Sequence, residues 1–185
     1  YLLTFVSVPT LFLYNAVHSP SYISGLGPDT VTIIAGILEI IVALAGIATA
    51  VVLYPLLKKQ SERLALGLVA ARVLEAATIF LGVAFLLTIV TLRQEGVGAE
   101  AQLIGHTLAT LYDRIFLLGQ SFMPAIDDLL LGFLLFQSRL VPRGLAVIGI
   151  IGGPILLLGY LAAMFGLVGQ HAPIAGLSAL PVAVF

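Results

Sequence analysis

"ERLALGLVAARVLEAATIFLGVAFLLTIVTL", residues 62–92, carries only two ionisable side chains past its first turn, Arg72 and Glu75. A helix crosses a bilayer with about 20 mainly apolar residues, and this stretch supplies them without a break. The rest of the chain reads the same way. It is 61% hydrophobic and 9% charged, where soluble domains carry roughly 25% charged residues. A soluble protein of 185 residues could not cover its surface with so few charges, whereas lipid solvates most of the outside of a polytopic membrane protein. A formal net charge of -1 argues against nucleic acid as a partner, which would need a basic face. With no cysteine, disulfides, zinc thiolates and thiol catalysis are excluded.

Working outward from residues 62–92, five further spans are predicted. The first covers residues 1–17. The second, 31–57, follows the turn-rich "HSPSYISGLGPDT" of residues 18–30, with Asp29 as its cap. A fourth covers 100–138, a fifth 142–168 with "VPRG" as its start signal, and a sixth 175–185. The expected fold is all-α: one polytopic transmembrane helical bundle over residues 1–185, with about six spans and both ends cut within helices. The opening "YLLTFVSVPTLFLY" lacks the basic leader of a signal peptide, and the chain is expected to extend past both ends.

The fourth segment is too long for one crossing. Residues 100–138 have no helix breaker before Pro124 and would extend about 58 Å as a helix, well beyond a hydrocarbon core of about 30 Å. An outer amphipathic part around "EAQLIGHTLATLYDR" is expected, followed by a spanning part kinked at Pro124.

Short loops rich in Lys and Arg mark the cytoplasmic side. Residues 58–63, "KKQSER", hold three such residues and 139–143, "RLVPR", hold two; on the other side 17–30 and 168–174 hold none and 93–104 only Arg93. The loops near Lys58 and Arg143 are therefore expected on the cytoplasmic side of the membrane.

Seven ionisable residues fall inside apolar segments: Glu39, Arg72, Glu75, Asp113, Arg114, Asp127 and Asp128. Each costs at least about 2.5–3.5 kcal/mol at the bilayer centre and normally faces the bundle interior with a partner. Counted from the cytoplasmic ends, Arg72 lies about 13 Å deep and Asp127 and Asp128 about 15–17 Å deep. Glu75 is one turn from Arg72 on the same face. These four form the main candidate cluster. A secondary polar seam is expected along the fourth segment: Asp113, Gln120 and Asp127 are seven apart, as are Arg114, Ser121 and Asp128. Glu39 would meet this seam at Gln120 or Arg114, with His106 and Tyr112 nearer the outer surface.

An intramembrane Arg–Asp pair can be structural glue that sets helix register. Glue needs a matched pair, however, and here one cation faces three carboxylates, an excess that calls for a proton, a cation or water. One aspartate should pair with Arg72, and Asp127, sharing a stripe with Gln120 and Pro124, is expected to be the other, charge-exchanging one. Gly149-x-x-x-Gly153 is a packing signal. His18, His106 and His171 are too scattered for a metal site. No phosphate loop or nucleophile motif is visible, so neither catalytic residue nor cofactor is assigned.

"YPLLKKQSERLALGLVAARVLEA" and "SRLVPRGLAVIGIIGG" resemble the bacterial membrane proteins grouped as domain of unknown function 4386. The resemblance rests on the Arg72–Glu75 spacing and on the corner formed by Arg139, Pro142, Arg143 and Gly144. It implies an integral membrane protein of several helices and no known activity. The leading expectation is a protein that binds a small molecule, proton or cation at the charged cluster. The alternative is a non-catalytic accessory subunit of a larger membrane complex, its partner another membrane protein.

Overall fold

A computed structural model describes Tyr22, residues 29–95 and residues 98–167. Every regular element among them is helical: α1 (Asp29–Leu57), α2 (Glu62–Glu95), α3 (Ala99–Phe116), a π-helical turn (Leu117–Phe122), α4 (Met123–Ser138) and α5 (Arg143–Met164). Four stretches are long and apolar enough to cross a membrane: α1, α2, Glu100–Ser138 and α5. The spans expected over residues 1–17 and 175–185 lie outside the described residues, so four spans stand where about six were expected. Large side chains such as Ile37, Leu44, Val52, Leu66 and Leu158 are exposed along these helices. Apolar surface on that scale belongs against lipid, and the chain is an integral membrane protein.

Local chemistry sets the helix ends. Ser61 opens α2, its Oγ accepting from the Leu64 amide at 3.4 Å, as an N-cap does. The α4 helix closes on Arg139, whose backbone is left-handed (φ 55°) and whose N–H bonds to the Leu135 carbonyl. The end of α5 comes at Met164 rather than at residue 168. Gly166 takes φ 71°, and the Gly166 and Leu167 amides return to the Ala163 and Ala162 carbonyls at 3.1 and 2.9 Å. This is the paired 5→2 and 6→1 bonding that glycine past a helix end permits.

The break in the long fourth segment lies upstream of Pro124, not at it. Proline has no N–H, so the Gln120 carbonyl cannot receive its usual bond from residue 124. The chain answers with a π turn over Leu117–Phe122, and Pro124 then falls at the start of α4, where no intrahelical donor is needed.

The chain forms two compact units, one drawn from Tyr1–Gly46 and Ala76–Phe116, the other from Ile47–Glu75 and Leu117–Phe185. The first is built on Ala35, Leu86, Ile89, Ala109 and Tyr112, with Tyr22 beside them. In the second, Ala50 and Leu57 pack with Ala65 and Leu68 of α2 and with Leu131 and Leu134 of α4.

Within the second unit α4 and α5 run antiparallel at very close range. A β-carbon on Gly132 would stand 2.9 Å from the Ile150 amide nitrogen, and one on Gly153 would stand 2.6 Å from the Ala125 carbonyl oxygen. Gly153 was expected to pack helices and does; Gly132, its counterpart on α4, is apparent only from the fold.

Candidate functional site

Arg72 and Glu75 lie three residues apart on α2 and so share a face. The Arg72 Nη1 donates to the Glu75 Oε2 at 2.7 Å. On its other side the Arg72 Nε lies 3.3 Å from the Asp127 Oδ2 of α4. Asp127 is 0% exposed and Asp128 4%, while the Arg72 and Glu75 side chains are nearly covered, at 14% and 12%. The buried Arg72–Asp127 pair joins α2 to α4 in the second unit, and it is held in place by the tight α4–α5 packing described above.

This pairing is incomplete. Neither carboxylate oxygen of Asp127 accepts a hydrogen bond, and neither does the Asp128 Oδ2. Asp127 feels Glu75 and Asp128 as well as Arg72, and its carboxyl is within hydrogen-bonding reach of Glu75 once a proton is present. Asp128 likewise feels both Arg72 and Glu75. Two buried carboxylates and the nearly covered Glu75 therefore share one guanidinium. Bringing charge out of water costs several kcal/mol per ion and is offset only by good pairing, so the surplus of carboxyl groups over cations is what distinguishes this site.

Asp127, not Asp128, is the partner of Arg72. The expectation that Asp127 is the carboxylate left without the guanidinium is thereby corrected. The reason is rotational: successive helical residues diverge by about 100°, and the π turn together with the α4–α5 packing decides which of the two meets α2.

The residues of the secondary seam differ in burial. Arg114 is exposed, Asp113 and Gln120 are half-buried, and Ser121 is buried. Counting in sevens assumes an unbroken α-helix, and the π turn, which bonds i to i+5, interrupts that count. Glu39, 1% exposed, accepts a hydrogen bond from the Tyr112 hydroxyl at 2.8 Å in the first unit. Tyr112 is buried, its ring lying 3.3 Å from the β-carbon position of Gly82. The sequence signal that could have revealed it is that missing side chain on α2.

Asp29, expected as the cap of α1, is the first residue of that helix. Its carboxylate receives Arg93 at 2.8 Å and Gln94 at 3.2 Å from the end of α2, and the Arg93 guanidinium stacks 4.6 Å from the centre of the Tyr22 ring. Among the described residues no group of three His, Cys, Asp or Glu side chains could hold a metal ion.

The family described as Domain of unknown function (DUF4386) matches residues 1–185, the whole chain. The chain belongs to this family. No curated protein and no solved structure matches it. In this DUF4386 chain the Arg72–Glu75 spacing is thus more than a sequence pattern: it is half of a buried ion-pair cluster completed from α4.

Proposed function

We propose that this DUF4386 protein binds a single positive charge, a proton or a monovalent cation held by fewer than three of the carboxylates, at a mid-membrane site formed by Arg72, Glu75, Asp127 and Asp128. The observation that supports this reading is the charge imbalance: one guanidinium serves three carboxylates, in a place where Asp127 is fully buried and neither of its oxygens accepts a hydrogen bond. A low-dielectric environment does not tolerate such a surplus unless a positive charge joins it. The Glu39–Tyr112 pair and the polar residues Asp113, Arg114 and Gln120 lie outside this minimum set. We further place the protein in a bacterial inner membrane, as the family resemblance implies, with the loops near Lys58 and Arg143 in the cytoplasm, from the Lys and Arg count of the short loops.

The reading is tested on the purified protein in lipid nanodiscs. A cation that binds only the folded state raises stability with its concentration. A proton held when folded and released on unfolding makes stability fall as pH rises. Thermal unfolding is followed against pH and against sodium at constant ionic strength. The combined variant Glu75→Gln, Asp127→Asn, Asp128→Asn should lose either dependence. A wild-type protein indifferent to both pH and sodium rules out the binding function and leaves the cluster as glue within an accessory subunit.

A further inference from the structure

We propose that the positive charge bound in this cluster is a proton rather than a metal cation, and that it is shared between the carboxyl groups of Asp127 and Glu75. This deepens the reading above and rests on it. Both groups touch one guanidinium: the Arg72 Nη1 lies 2.7 Å from the Glu75 Oε2, and the Arg72 Nε lies 3.3 Å from the Asp127 Oδ2. Asp127 and Glu75 are also within hydrogen-bonding reach of each other. Two ionised carboxylates at that range are both acceptors and repel. One proton between them turns the contact into a charge-assisted O–H···O bond, among the strong ones. The proton stays covalently on one carboxyl oxygen and is donated to the other. The pair then carries one negative charge against the one positive charge of Arg72.

The donor set separates a proton from a metal cation. A hard cation gathers several oxygen ligands. Glu75, Asp127 and Asp128 all lie among the described residues, and no three such side chains there are arranged to hold a metal ion. A proton needs only two oxygens.

The same comparison picks the pair. Glu75 reaches Asp127 by a hydrogen bond as well as by charge, whereas it acts on Asp128 through charge alone. Asp128 therefore stands outside the pair, and its own charge, felt at Asp127, adds to the pull on the proton. On α2 the remaining charged groups of the second unit are Glu62 and Arg63, exposed at its opening. Between Arg143 and Met164, α5 has only Tyr160 as an ionisable residue, and residues 47–57 have only Tyr54.

The experiment uses the same nanodisc-embedded protein, with unfolding temperature read against pH in one arm and against sodium chloride, balanced by choline chloride, in the other. The wild type should lose stability as pH rises, because the folded state holds a proton that the unfolded chain releases, and it should not respond to sodium. Glu75→Gln and Asp127→Asn put a permanent amide donor in place of the shared proton, and each should abolish the pH dependence. Asp128→Asn should keep it. Infrared spectra of the wild type supply a readout that needs no folded variant. The bands that respond to pH over the interval of the stability change should shift on isotope labelling of the aspartate carboxyls, and also on labelling of the glutamate carboxyls. A pH dependence that survives Glu75→Gln or Asp127→Asn, one that is lost in Asp128→Asn, or bands moved by one label only, overturns the shared proton and leaves the cluster reading intact. A response to sodium, with or without one to pH, overturns the choice of a proton and keeps the cluster as a cation site. A wild type that responds to neither removes the cluster reading, and this proposal with it.

Discussion

Arg72 is the residue on which the second unit turns. Its guanidinium is shared between a neighbour on its own helix and Asp127 of α4. Removing one member of a buried pair strands the other, at a typical cost of about 3–5 kcal/mol. Arg72→Ala is expected to destabilise the protein by that order. In a double-mutant cycle, Arg72→Ala combined with Asp127→Asn should cost clearly less than the sum of the two single changes, and the coupling should exceed that with Asp128→Asn. Denaturant or thermal unfolding in a defined detergent measures it; additive effects with Asp127 would show that the 3.3 Å approach carries no energy. The partnership was legible as a possibility, since depth counting placed Arg72 within reach of both aspartates. Which aspartate answers was not, because it depends on a rotation of about one residue.

At the scale of elements, the decisive pieces are the π turn and the α4–α5 contact. Pro124 announced a disturbance, yet the disturbance falls over Leu117–Phe122, because the missing amide is felt by the carbonyl a turn earlier. The π turn interrupts the count in sevens; Arg114 is exposed, while Ser121 and Asp128 are buried. The α4–α5 contact holds Asp127 and Asp128 in their places. Gly153→Ala would drive a β-carbon to 2.6 Å from the Ala125 carbonyl oxygen. Backbone cannot step aside as a flexible side chain can, and overpacking of this kind costs about 1–3 kcal/mol. Gly144→Ala is the control: a β-carbon there meets nothing within 4 Å, and alanine in a helix is favoured by roughly 0.5–1 kcal/mol. The two variants should shift the unfolding temperature in opposite directions; equal shifts would mean the α4–α5 contact is looser than described.

For the whole molecule, the absence of cysteine makes sidedness directly measurable. Gln60→Cys and Gly98→Cys introduce single thiols at the two ends of α2, both outside its helical residues Glu62–Glu95. In sealed vesicles of known orientation, an impermeant thiol reagent should label the two from opposite sides, with Gln60→Cys on the cytoplasmic face. Labelling of both from one side would contradict a spanning α2, and labelling of Gln60→Cys from outside would invert the orientation drawn from Lys58, Lys59 and Arg63.

Composition and unbroken apolar length, by themselves, made this an all-helical membrane protein and located α1, α2 and α5 to within a few residues. The energy of placing apolar segments in lipid depends on what the residues are and how many run together, not on their neighbours in space. The same local reasoning singled out Arg72, Glu75, Asp127 and Asp128, since any charge in an apolar run demands a partner. Tertiary structure alone decided that Arg72 meets Asp127, that Tyr112 reaches Glu39, and that Gly132 and Gly153 bring α4 and α5 into backbone contact. Those outcomes depend on helix rotation and close approach. A π turn or a missing side chain changes them by a full residue or by several ångströms, and the sequence shows the proline or glycine without saying which neighbour it admits.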